Sequence, residues 1–320
     1  MMSNIRELCW DILSPTLGTL AFIINLLEIF FIIKLNKKLN IPLIYILSLA
    51  ISDTFIGFIE ILIKMLYFIN INYPSTQSNL YLEVFNFLTY VVLRISLIIS
   101  ALNLVAITID RLYCVVRPVQ YRKNSKKKAI LICIGIWLVS IVFLTAFHYG
   151  LKNHADPLTT WRLQFILYPI VILPAAFLMS GVYFFIWYYF RKSNKRMTRL
   201  QEETSTIQNL RKRKEKRLLV LSVTVVAAFM ICWLPMAFYW VLFMYSVKMS
   251  DGVNIVFTIA ISNSVINPLI YFHFIRKSVW KWFKGLFERF QRRKQRTLSI
   301  RRMDTSTTTL ATSAEVISRF

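Results

Sequence analysis

Apolar residues fall into seven long runs, at 15–34, 41–63, 80–109, 129–149, 163–190, 217–246 and 252–275, and between them the chain turns polar and basic. A helix needs about 20 apolar residues to cross the hydrocarbon of a bilayer, so each run predicts one spanning helix. The third and sixth runs exceed that minimum, as tilted helices that project beyond the bilayer do. The runs are not uniformly apolar. They hold Asn25 and Glu28, then Asp53, Glu60 and Lys64, then Arg94, Ser100 and Asn103, and in the last run Asn263, Ser264, Asn267 and Tyr271. A charge at mid-bilayer costs about 3 kcal/mol even on insertion scales, so such groups face a bundle interior or a wet cavity.

Composition agrees with this pattern. The chain has 320 residues, 57% of them hydrophobic and 17% charged, too apolar for an ordinary soluble domain. A net charge of +24 suggests nucleic acid at first sight. A nucleic-acid binder, however, carries its basic residues on folded surface, whereas here they gather between the apolar runs, and nucleic acid is not an expected partner. Of the 39 Lys and Arg residues, 33 lie in the three alternate connections and the tail that share one side. The positive-inside rule makes that side cytoplasmic and predicts an outer N-terminus and an inner tail. The first run is flanked by Glu7 and Asp11 and lacks a small-residue cleavage site, so it is expected to stay as the first span rather than be removed as a signal peptide. No N-glycosylation sequon occurs. Cys9, Cys114, Cys133 and Cys232 are scattered over different levels of the chain, which predicts no structural disulfide.

The predicted fold class is therefore an all-α membrane protein, a seven-transmembrane-helix bundle with a short amphipathic cytoplasmic helix. Its divisions are an extracellular N-terminus at 1–14, the bundle at 15–275, an inner-leaflet helix at 276–290 and a disordered tail at 291–320. The stretch "RKSVWKWFKGLFERF" alternates basic and aromatic residues at helical spacing, as a helix lying on membrane lipid does. The tail is hydroxyl-rich with little apolar content. Within it, Ser299 follows Arg296 by three positions, and Thr305, Ser306, Thr307, Thr308 and Thr309 form a cluster; both are candidate phosphorylation sites.

In the last span Asn263, Asn267 and Tyr271 recur every four residues and share a helix face, and Pro268 within it removes a backbone hydrogen bond. Alone, that face reads better as a polar packing seam between helices. It does not stand alone. The second span reads "LAISD" with Asp53, the third ends on Asp110 and Arg111, the sixth reads "FMICWLP" with Phe229, Trp233 and Pro235, and Asn25 and Trp137 stand in the first and fourth. In this order and spacing, together with "NSVINPLIY", these positions closely resemble the signature of rhodopsin-like (class A) G-protein-coupled receptors, over residues 15–290 or so. The alternative, a seven-helix transporter or channel for a small solute, predicts internal repeats or paired broken helices, and the sequence has no repeat.

The resemblance implies a plasma-membrane receptor that binds an extracellular ligand and activates a heterotrimeric G protein by moving the sixth span about Pro235, with arrestin and receptor kinases as further partners. It implies that Arg111, beside Asp110, is a coupling switch held at rest and released on activation, with Glu215 as a second carboxylate and Tyr271 as an inner switch. Phe229, Trp233, Pro235, Asn267 and Pro268 become the activation switch. Asp53, Ser100, Asn263 and Asn267 match a buried site for a sodium ion or a proton; apart from such a structural sodium, no cofactor is implied. Leu112 departs from the pattern, where the family usually has Tyr.

The ligand is less legible. The family's disulfide cysteine in the third span falls near Asn86, and the following outer loop has no cysteine. Leu93 stands where aminergic receptors place an Asp, and Ile261 where opsins place the retinal-binding Lys; neither a typical aminergic receptor nor an opsin is expected. Glu60, Lys64, Arg94, Tyr239, Trp240 and Phe257 are the pocket candidates. Glu60 and Lys64 are four apart and neutralise one another on a shared face; Arg94 reads as an anchor for an anionic ligand group or as a structural bridge to Glu60. His148, His154 and His273 show no metal-binding spacing, and no nucleophile with a base is evident, so no enzyme is expected.

Overall fold

The computed structural model describes residues 12–36, 39–72, 79–122, 125–154, 157–197, 206–245 and 253–317, all helical apart from short connections. The chain divides into two compact units, Met1–His273 and Phe274–Phe320, each taken by itself below.

Helix α1, Ser14–Leu35, carries Pro15 in its first turn, where a missing N–H costs nothing. It ends at the extended Asn36, whose amide donates back to the Ile32 carbonyl at 2.9 Å. Helix α2, Ile41–Asn72, is capped by Asn40, whose Oδ1 accepts the Leu43 N–H at 3.1 Å. Helix α3, Asn79–Phe87, leads through a π-helical turn at Leu88–Val92 into α4, Leu93–Val116. The short α5, Pro118–Arg122, follows, then α6, Lys126–His154, whose start is capped by Ser125 through the Lys127 N–H at 3.2 Å. Helix α7, Pro157–Met197, contains Pro169 and Pro174; α8, Thr206–Tyr245, contains Pro235; α9, Val253–Ile317, contains Pro268.

Seven of these are long and apolar enough to cross a membrane: α1, α2, α4, α6, α7, the Leu219–Leu242 part of α8 and the Val253–Arg276 part of α9. Two thirds of the apolar window of α4 is buried against 17% of that of α6, so the third span is the axis of the bundle and the fourth lies at its rim. The rim is apolar outward, as Leu131, Val139 and Val142 on α6 show by their exposure. With hydrocarbon as solvent, that exposure costs nothing. Helices α1 and α2 meet backbone to backbone at Gly18 and Gly57: a Cβ at Gly57 would lie 2.5 Å from both the Gly18 carbonyl oxygen and the Phe22 nitrogen. Only a residue without a side chain fits there.

Helices α8 and α9 run furthest beyond their apolar spans at one end. Helix α8 begins at Thr206, eleven residues ahead of the run at 217, because "IQNLRKRKEKR" is made largely of good helix formers. Helix α9 likewise continues past 275 and through 291–317, the stretch expected to be a disordered tail. No proline follows Pro268 and no glycine follows Gly285, and in 291–303 Arg, Lys, Gln, Leu and Met supply helix propensity that hydropathy does not register, whereas the Thr and Ser of 305–313 add little. Within the second unit Trp280 and Phe283 are exposed, and Trp282 meets Phe283 edge-on at 5.0 Å. This is the apolar and basic mixture read from the sequence for 276–290.

Candidate functional site

The centre of the bundle is a buried carboxylate. Asp53 of α2 has no exposure. Its Oδ1 accepts hydrogen bonds from the Ser100 hydroxyl of α4 at 2.9 Å and from the Ser264 hydroxyl of α9 at 3.1 Å, and its Oδ2 accepts one from Asn267 Nδ2 of α9 at 2.9 Å. One side chain thus ties three helices together through charge-assisted bonds. Of the residues grouped with Asp53 in the sequence, Ser100 and Asn267 are brought to it. Asn263 is buried nearby in sequence but does not bond to Asp53, and its Oδ1 has no partner among the described residues. Ser264, one residue on and three before Asn267, takes that role instead. The Asn267 Oδ1 is also buried and unpaired, as are both polar atoms of Asn103, one turn along α4 from Ser100. A carboxylate, two hydroxyls and unpaired amide oxygens form an oxygen-only donor set, which fits a hard cation. Among the described residues no three His, Cys, Asp or Glu side chains gather.

Pro268 shapes the same region. Having no N–H, it leaves the Ser264 carbonyl without its helical donor. Asn25 of α1 supplies one: its Nδ2 donates to Ser264 O at 2.8 Å and to Ala21 O at 2.7 Å. Trp137 of α6 similarly reaches Ser48 of α2 at 3.2 Å and packs on Phe55.

A second cluster lies at the end of α4. Arg117 precedes a proline and therefore avoids the helical region, with φ −129° and ψ 64°, so α4 stops at Val116. Pro118 then starts α5, and the Tyr121 N–H bonds to the Arg117 carbonyl at 2.9 Å. That single turn swings Tyr121 back over the helix end. Its hydroxyl donates to Asp110 Oδ2 at 3.0 Å, Arg111 Nη2 donates to the Tyr121 oxygen at 3.2 Å, and Arg111 also pairs with Asp110 directly. Asp110 and Arg111 are both buried, and the ring of Tyr113 packs on Tyr121 at 6.0 Å. Burial, together with the Asp110 carboxylate, pushes the Tyr121 phenol above its ordinary pKa despite the opposing Arg111 charge. Sequence reasoning found Asp110 and Arg111 and missed Tyr121. Glu215 lies within α8, but its side chain falls outside those described.

In α8, Phe229 and Trp233 are buried in contact at 5.8 Å, Trp233 standing two residues short of Pro235. Tyr271 is buried on the wall of a small cavity of about 30 Å³ that Asn267 and Glu28 also line. Of the pocket candidates, Glu60 is buried, held by the Ser14 hydroxyl and by Lys64 at 3.9 Å. Arg94 is buried, Tyr239 and Trp240 are buried edge to face at 5.5 Å, and Phe257 is half-buried. Ser299 and Thr305 to Thr309 lie on the α9 backbone, with side chains outside those described. Cys133 and Cys232 are free thiols.

Comparison with known proteins adds an independent line. The family described as "7 transmembrane receptor (rhodopsin family)" matches residues 24–271. The tachykinin-like peptides receptor 99D of Drosophila melanogaster is 24% identical over 306 residues, covering 87% of this chain; the chain spans only 58% of that receptor's length. The adenosine receptor A3 of Ovis aries is 26% identical over 279 residues, covering 82% of this chain and 84% of the receptor. Among solved structures, squid rhodopsin superposes with a TM-score of 0.64 at 20% identity, over 85% of this chain and 77% of its own.

Proposed function

The chain belongs to the rhodopsin family of seven-transmembrane receptors, and from that premise we propose that it binds an extracellular ligand and activates heterotrimeric G proteins. The family is one of multi-pass plasma-membrane receptors, not of enzymes. The observation that carries the proposal is the buried Asp110–Arg111–Tyr121 cluster at the end of the central helix. An Arg bound to a carboxylate and a phenol from a short adjoining helix has a second stable arrangement once the neighbouring helix moves away, and such a two-state element is what a switch requires. Ligand binding at the far end shifts the equilibrium toward the open arrangement by moving α8 about Pro235, with Phe229 and Trp233 repacking at the pivot. Arg111 then lines the cleft that receives the G protein. The charge distribution supports a cytoplasmic location for this end and an outer N-terminus.

The donor set around Asp53 supports a sodium ion or a proton as occupant of the resting arrangement, with Asp53, Ser100, Ser264 and Asn267 holding it. The Ser299 and Thr305–Thr309 sites support phosphorylation by receptor kinases and capture by arrestin, and the basic-aromatic stretch 276–290 supports contact with anionic lipid.

The test is a ligand-library screen on the expressed receptor, read by guanine-nucleotide exchange on a panel of G proteins and by arrestin recruitment. A ligand that accelerates exchange on the wild type and not on Arg111→Ala supports the proposal. Ligand-driven solute flux through reconstituted protein without G protein, and no exchange on any of the panel, refutes it in favour of a transporter.

A further inference from the structure

Among the described residues the bundle buries four carboxylates: Glu28, Asp53, Glu60 and Asp110. Three have partners. Asp53 has two hydroxyls and an amide, Glu60 has Ser14 and Lys64, and Asp110 has Arg111 and Tyr121. Glu28 of α1 is only 2% exposed and makes no hydrogen bond or ion pair among the described residues. A charge at that depth without a partner is costly, so Glu28 either holds a proton or meets a cation in the space beside it.

The room is there. Glu28 lines a small cavity of about 30 Å³ between the Asp53 cluster and the Arg111 end of the bundle. Its polar wall consists of Glu28, Asn267, Tyr271 and Ser222, and the rest is apolar side chains of α2, α4 and α8. Asn267 is shared between the two sites. Its Nδ2 is committed to Asp53 at 2.9 Å, while its Oδ1 is buried and unpaired. An acid, an orphaned amide oxygen, a phenol and a hydroxyl among the lining residues of α1, α8 and α9 offer oxygen, without the imidazole or sulfur ligands that transition metals prefer. One carboxylate with neutral oxygens suits a monovalent ion, since calcium needs six to eight oxygens and usually several carboxylates.

We propose that Glu28, with the side-chain oxygens of Asn267 and Tyr271, forms a second cation site for an alkali ion, distinct from the Asp53 site and reached from the Arg111 end. Two of its ligands flank Pro268, so an ion bound there links the helix kink of α9 to α1 and favours the closed arrangement. Only that last consequence rests on the receptor reading; the binding itself does not.

The experiment uses the full-length chain in lipid nanodiscs. Thermal unfolding is followed by tryptophan fluorescence while sodium or potassium chloride replaces N-methylglucamine chloride at constant ionic strength. An Asp53→Asn receptor, with Glu28 untouched, retains a saturable stabilisation by the alkali ion. In the Asp53→Asn, Glu28→Gln receptor the apparent affinity of that phase falls by on the order of ten- to a hundredfold, the range seen when support around a metal is removed. Glu28→Gln alone removes one of two phases from the wild type, which guards against a double variant that does not fold. An Asp53→Asn receptor indifferent to alkali ions overturns the proposal. So does a response to pH without a response to cations, which identifies the occupant as a proton. None of these readouts involves a G protein, so a failure here is separate from a failure of the receptor reading.

Discussion

Asn25 completes a helix to which it does not belong, and that claim can be measured. Its Nδ2 lies 2.8 Å from the Ser264 carbonyl, the group that Pro268 deprives of a donor. Asn25→Ala leaves this carbonyl buried and unpaired. Full desolvation of such a group costs about 1–3 kcal/mol in water-soluble proteins, whereas interhelical hydrogen bonds measured in a membrane average about 0.6 and reach about 1.7 kcal/mol. The membrane figure applies here, at its upper end, because the alternative donor within α9 is covalently absent; the expected loss is about 1–1.5 kcal/mol. The decisive variant is Pro268→Ala, which restores an N–H at 268 that can satisfy Ser264 itself. In that background Asn25→Ala costs much less, giving a coupling energy of about 1 kcal/mol in a double-mutant cycle. The assay is reversible unfolding of the four proteins in matched detergent micelles, followed by tryptophan fluorescence. Strictly additive losses, with coupling within about 0.3 kcal/mol of zero, refute the idea that Asn25 stands in for the missing proline hydrogen.

Tyr121→Phe removes two hydrogen bonds from the Asp110–Arg111 cluster, worth about 1 kcal/mol together once water competes. Ligand-independent nucleotide exchange on a responsive G protein should rise roughly fivefold, and an unchanged basal rate rejects Tyr121 as a restraint. Gly57→Ala places a methyl 2.5 Å from backbone atoms of α1 and should sharply reduce folded receptor at the cell surface, while Gly135→Ala, which meets nothing within 4 Å, leaves it unchanged. Flow cytometry of tagged receptors decides between equal and unequal losses. Because burial raises the Tyr121 pKa, the folded protein keeps its phenolic proton above the point, near pH 10, where the unfolded chain loses it. The unfolded state binds fewer protons there, so this contribution to stability is constant below about pH 10 and falls only above it. Unfolding free energies measured from neutral to alkaline pH should show no Tyr121-dependent loss before that point.

The spans were legible because lipid is an unforgiving solvent. Only helices with long apolar runs satisfy their backbone in it, and the seven runs became the seven spanning helices. Asp53, Ser100 and Asn267 were legible for the converse reason, since polar groups at such depth have few alternatives to one another. The choice between Asn263 and Ser264 was not. Both lie within one turn of Asn267, at spacings of four and three, and spacing alone does not separate them. Tyr121 was invisible because its approach to Asp110 depends on a single backbone turn between Arg117 and Pro118, which no periodicity announces. Glu28 stood out as a charge in a span, but its lack of a partner emerges only once its neighbours are placed. The continuation of α8 and α9 beyond the membrane escaped a reading based on hydropathy because charged helices obey propensity instead.

The meeting of Gly18 and Gly57 also bears on how motion in this protein can be observed. Where two backbones touch, there is no layer of side chains to slide or repack, so α1 and α2 shift together or not at all. This pair is a natural fiducial. Spin or fluorescent labels placed on α8 and referred to α1 or α2 will report any displacement of α8 alone, and a pair spanning α1 and α2 is expected to keep its separation while α8 is displaced.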